Sequence, residues 1–76
     1  MDKAINTNEL LNQVFSNSTK IVEARLLLNG GFATHFLCFK NASLFDEGID
    51  GKNRKINSDI FRKNYANACW IIDQII

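Results

Sequence analysis

Proline is absent from this chain, and histidine, methionine, tryptophan and tyrosine occur once each. Cysteine occurs only twice. One histidine cannot supply a zinc site without several further ligands, and acid–base or nucleophilic catalysis needs a base, an orienting group and a nucleophile within reach. Two widely spaced cysteines, Cys38 and Cys69, make no disulfide framework and read as free thiols. Net charge is only +1, so bulk electrostatics select no class of partner. No apolar run approaches the ~20 residues of a membrane span. The start, MDKAINTNELL, lacks the charged-then-apolar plan of a secretory signal. A cytoplasmic setting without membrane contact is the expectation. The glycosylation patterns at Asn17-Ser18-Thr19 and Asn41-Ala42-Ser43 carry no weight without an export signal.

What the chain does have is apolar substance. It is 46% hydrophobic and has six phenylalanines, which argues for a packed core and against disorder. Its 76 residues form a single domain, 1–76,. A domain this small buries only about 60–65% of the surface its unfolded chain exposes, so its stability margin is narrow. Asparagine, isoleucine and lysine are used heavily, a bias typical of AT-rich coding sequences such as those of phages and mobile elements.

The central stretch is 20–40, KIVEARLLLNGGFATHFLCFK. Asn29-Gly30-Gly31 lies between two apolar runs and predicts a tight hairpin turn of primed type. Along Ile21–Leu28 the even positions Val22, Ala24, Leu26 and Leu28 are apolar and the odd ones are mixed, a period of two. The return run is apolar on both sides, so loop length decides its orientation. A two-residue loop, Asn29-Gly30 or Gly30-Gly31, sends Ala33, His35, Leu37 and Phe39 inward and leaves Phe32 and Phe36 outside with Arg25. A three-residue loop reverses this. The two-residue loop is the favoured reading.

A first helix is expected over Ile5–Ser16, with Asn6 as N-cap, Glu9 three residues on, and Leu10, Leu11, Val14 and Phe15 on one stripe. The segment 43–49 is open between a third strand and a loop. Residues 50–55 read as a polar turn or loop. A second helix is expected over Ser58–Ile76, capped by Asn57 or Ser58. Its core stripe would hold Phe61, Tyr65, Ala68, Cys69, Ile72, Ile75 and Ile76, which leaves Trp70 on the opposite, polar side. The fold class is thus α+β, a small single-layer antiparallel sheet with two helices on one face, in the order α-β-β-(β)-α.

That order is similar to the double-stranded-RNA-binding domain, which places lysines at the start of its last helix. Here Ile56-Asn57-Ser58-Asp59 stands at that place, and the hairpin turn has no Gly-Pro-x-His-type motif. The resemblance lends no RNA-contacting residue. Asp46-x-Gly48-x-Asp50-Gly51 likewise begins like a calcium loop but has Gly48 at the third position and Asn57 at the twelfth, where ligands are needed. Gly30-Gly31 joins strand to strand, not strand to helix, and so cradles no phosphate.

Three functional expectations follow. The first is a small non-enzymatic protein-binding protein, an inhibitor or regulator, acting through an exposed apolar surface and open to homodimerisation. Its surface comprises Ile21, Arg25, Leu27, Phe32 and Phe36, with Trp70. It needs no cofactor, metal or small-molecule substrate. The second is a nucleic-acid-binding regulator using Lys52, Arg54, Lys55, Arg62 and Lys63. The third, ranked last, is an enzyme built on His35 and Cys69.

Overall fold

The computed structural model describes residues 3–47 and 52–76. Its elements in chain order are β1 (Ile5–Asn6), α1 (Thr7–Ser16), β2 (Ile21–Leu28), β3 (Gly31–Lys40), β4 (Ser43–Glu47), β5 (Asn53–Ile56), α2 (Ser58–Asn64) and β6 (Cys69–Ile75). The strands form one six-stranded antiparallel sheet in the order β1-β6-β2-β3-β4-β5.

This corrects the expected fold class. The second helix stops at Asn64, with Tyr65 as its C-cap, and the sequence from Cys69 onward is a strand. The physical reason is side-chain shape. Trp70, Ile71, Ile72 and Ile75 are aromatic or β-branched, which suits a pleated surface and disfavours a helix. The insertion of β6 between β1 and β2 gives those side chains a sheet to pack on. The polar turn or loop expected at 50–55 is also corrected over its described part: Asn53–Ile56 pairs with β4 as the terminal strand β5. The likeness to the double-stranded-RNA-binding domain rested on element order, and it goes with that order.

The hairpin forms where expected. Leu28 pairs with Gly31, so the loop is Asn29-Gly30, and Val22, Ala24 and Leu26 stand opposite Leu37, His35 and Ala33. The turn is not of the primed type, because only Gly30 takes a positive φ, 91°,. The next turn, between Lys40 and Ser43, does place two residues at positive φ, Asn41 at 52° and Ala42 at 58°. Asparagine tolerates that region; alanine does so at a cost of about 1–2 kcal/mol.

Both helices lie on the face bearing Val22, Ala24, Leu26 and Leu37. The Asn6 side-chain oxygen accepts from the Glu9 N–H at 2.8 Å and starts α1. Leu10, Leu11 and Val14 are then fully buried against the sheet, and Phe15 meets Phe39 edge-on at 4.9 Å between ring centroids. In α2 the Asn57 side chain accepts from the N–H groups of Asp59 and Ile60. That cap orients Phe61 inward, where its ring stacks on Trp70 at 5.7 Å.

Candidate functional site

The inner face of the sheet is occupied by packing. Trp70 is fully buried, which corrects its expected place on an exposed helix side. Its Nε1 donates to Thr7 Oγ1 at 2.9 Å, and the Thr7 hydroxyl donates to the Tyr65 carbonyl oxygen at 2.6 Å. One threonine therefore ties β6, the start of α1 and the end of α2 together. His35 is edge-on to Trp70 at 5.3 Å and to Tyr65 at 6.0 Å, and its Nδ1 meets Asp46 Oδ2 at 2.7 Å. This polar pair is partly shielded, and the residues around it are aromatic. None of the buried side-chain polar atoms lacks a partner among the described residues.

The juxtaposition of His35 and Cys69 does not occur. Successive residues of a strand point to opposite faces, so Cys69 lies on the other side of β6 from Trp70, and His35 packs on Trp70. Cys69 is exposed, and Cys38 is buried on the face away from His35. Neither thiol faces the imidazole.

The basic residues are separated as well. Lys52, Arg54 and Lys55 lie on or beside β5, the terminal strand of the sheet. Arg62 and Lys63 line a cleft with Asn6, Thr7, Asn8 and Ala66, next to β1 at the far edge. Arg62 also pairs with Asp59 at 3.2 Å. Lysine and arginine on an outer strand discourage a neighbouring chain from adding to that edge, and this accounts for the charges of β5.

The outer face is different. No described helix covers it, and the strand pairings lay it out in four rows. Ile21, Cys38, Phe45 and Lys55 form the first, and Gln74, Glu23, Phe36 and Glu47 the second. Ile71, Arg25 and Thr34 form the third, and Leu27 and Phe32 the fourth, beside the hairpin turn. Phe32 is 58% exposed and Leu27 38%. Leu28, at the same tip, is 52% exposed and leads into a cleft of about 390 Å³ lined by Leu26, Leu27 and the segment 63–68. The Arg25 guanidinium lies over the Phe32 ring at 5.3 Å, and the Lys40 ammonium over Phe45 at 5.4 Å. Such cation–ring contacts are worth about 0.5–1 kcal/mol at exposed sites.

Arg25 is held in place by β6. The register of β6 against β2 shifts between Glu23 and Ala24, so Asp73 is the extra residue of a bulge,. The bulge turns Asp73 toward Arg25, whose Nε lies 2.8 Å from its Oδ2. Glu23 accepts from Gln74 Nε2 at 2.7 Å.

Five of the six residues expected at a partner surface therefore do share one face: Ile21, Arg25, Leu27, Phe32 and Phe36. Trp70 does not. Sequence reasoning missed Phe45 and Ile71 on that face and Leu28 at the tip. Phe45 was recoverable from the alternation in Ser43-Leu44-Phe45-Asp46, whereas Ile71 was lost with the strand that carries it. No helix among the described residues is long and apolar enough to cross a membrane. Comparison with protein-family models, with curated proteins and with solved structures finds no match to this chain.

Proposed function

We propose that this chain is a non-enzymatic protein-binding module, an inhibitor or regulator of cytoplasmic setting, that docks a partner on the outer face of its sheet. The observation that carries the reading is the exposure of Phe32 and Leu27, at 58% and 38%, on a face that also bears Ile21, Phe36, Phe45 and Ile71 and has no described helix over it. Large apolar side chains gathered on one uncovered surface favour association, because contact removes them from water at about 25 cal/mol per Å². Arginine beside aromatics is also the composition of binding hot spots. The context suggested by the asparagine, isoleucine and lysine bias, a phage or mobile element, agrees with a small inhibitor.

The test is capture of a partner by the immobilised chain, with Phe32→Asp as the comparison. Phe32 takes no part in the core, so the variant keeps its far-ultraviolet spectrum and the blue-shifted emission of buried Trp70. The expected result is a defined protein retained by the wild type and lost with Phe32→Asp. Equal retention by both chains overturns the reading.

A further inference from the structure

The rows of the outer face have an internal order. Along β2 and β3 they run apolar (Ile21 with Cys38), acidic (Glu23 with Phe36), basic (Arg25 with Thr34), apolar (Leu27 with Phe32). Rotating a second copy by 180° about an axis across the strands, between the acidic and basic rows, sets the β2 and β3 residues of each row over a complement. Glu23 then faces Arg25 of the other copy and Arg25 faces its Glu23. Ile21 faces Leu27, and Cys38 faces Phe32. A two-fold interface requires this reciprocity, in which each contact occurs twice with the partners exchanged.

From this self-complementarity we infer that the occupant of the outer face is a second copy of the same chain, stacked sheet on sheet with its strands antiparallel. The inference rests on the proposed docking face and names its partner. The overlap is carried by β6, β2 and β3, because the described β4 and β5 lie beside the first two rows only and meet no strand of the other copy. Three strands about 4.8 Å apart, with up to about eight residues each at about 3.3 Å, make a face of roughly 380 Å² in plan. That is small beside the roughly 800 Å² per partner of a standard interface, so the association is weak and depends on concentration. Aligned sheets pack about 10 Å apart, a gap that glutamate and arginine side chains span together. Glu23 and Arg25 enter the interface already joined to Gln74 and Asp73, so neither charge is buried alone.

The experiment is sedimentation velocity on wild type, Glu23→Arg, Arg25→Glu and an equimolar mixture of those two variants, over about 1–100 µM. Wild type is expected to be dimeric at the upper end. Each variant alone sets like charges against each other and weakens association by at least about tenfold, or about 1.4 kcal/mol. In the mixture, the paired arginines of the Glu23→Arg chain meet the paired glutamates of the Arg25→Glu chain, and the dimer returns. Phe32→Asp is expected to be monomeric, and Ile60→Ser, on the helical side and 58% exposed, to dimerise as wild type. Because Arg25→Glu also loses the Asp73 pair, its fold is checked by circular dichroism; Phe32→Asp gives an independent test free of that change. A monomeric wild type, a mixture of folded variants that stays monomeric, or a dimeric Phe32→Asp overturns the inference. Loss of dimerisation alone, with capture of another protein still dependent on Phe32, leaves the docking function standing.

Discussion

The two faces of this sheet are made from the same strands, and both carry large apolar residues, yet they meet different fates. On the inner face Val22, Ala24 and Leu37 are fully buried beneath α1 and α2, and Trp70 is enclosed by Phe61, Tyr65 and His35. On the outer face Phe36 and Phe45 are only half-buried, and Phe32 is mostly exposed. Two things separate the faces: the helices cover only one, and the other interleaves its apolar residues with Glu23, Arg25, Glu47 and Lys55. Two short helices suffice for one side. The difference teaches that alternation along a strand marks which residues share a side, and that the helices settle on the side where β2 carries no charge.

Substitutions of graded depth test that division. Trp70→Ala has the largest expected effect, a loss of about 3–5 kcal/mol. That is a large part of the roughly 5–15 kcal/mol that typically holds a domain together, so the variant should be partly unfolded in urea concentrations that leave wild type intact. Thr7→Val keeps the shape but removes the acceptor of the Trp70 indole N–H and the donor to the Tyr65 carbonyl. About 1–3 kcal/mol should be lost, read as a lower urea midpoint with an unchanged slope. Phe36→Ser, half-buried on the outer face, should cost roughly 1 kcal/mol. Phe32→Ser should change stability by no more than about 0.5 kcal/mol and still abolish partner capture. If Phe32→Ser proves as damaging as Trp70→Ala, the faces are not distinct and the outer one is part of the core.

The elements that could be read from the sequence are those whose signals are local. Asn29-Gly30-Gly31 announced the hairpin, and the favoured two-residue loop is the one that forms, although a three-residue loop is equally compatible with the apolar return strand. Asn6 and the pair Asn57-Ser58 announced the two helix starts, and Asn57 is the cap that forms, because a side-chain oxygen before a helix needs only its next few N–H groups. Ile21, Arg25 and Leu27 followed from the alternation of the first strand, and Phe32 and Phe36 joined them only under the two-residue loop. The last strand was not readable in this way. In Ala68-Cys69-Trp70-Ile71-Ile72-Asp73-Gln74-Ile75, apolar residues satisfy a helical stripe as well as a buried strand, and period alone cannot separate them. The deciding partners, β1 and β2, lie more than forty residues away in sequence. Trp70 was misplaced for that reason alone. The turn at Asn41-Ala42 was equally hidden, since alanine seldom takes a positive φ.

The position of β6 between β1 and β2 has a consequence for how the molecule is made. A ribosome delivers β1 first and β6 last, and β1 hydrogen-bonds to β6. The nascent chain can pair β2, β3, β4 and β5 in turn as they emerge, but Leu10, Leu11 and Val14 must wait for the indole that completes their pocket. Assembly is therefore decided late, by the arrival of Cys69–Ile75 in a slot left open between two earlier segments. Such distant pairing is slow to form, and until it forms the growing polypeptide offers grease on both sides of its sheet.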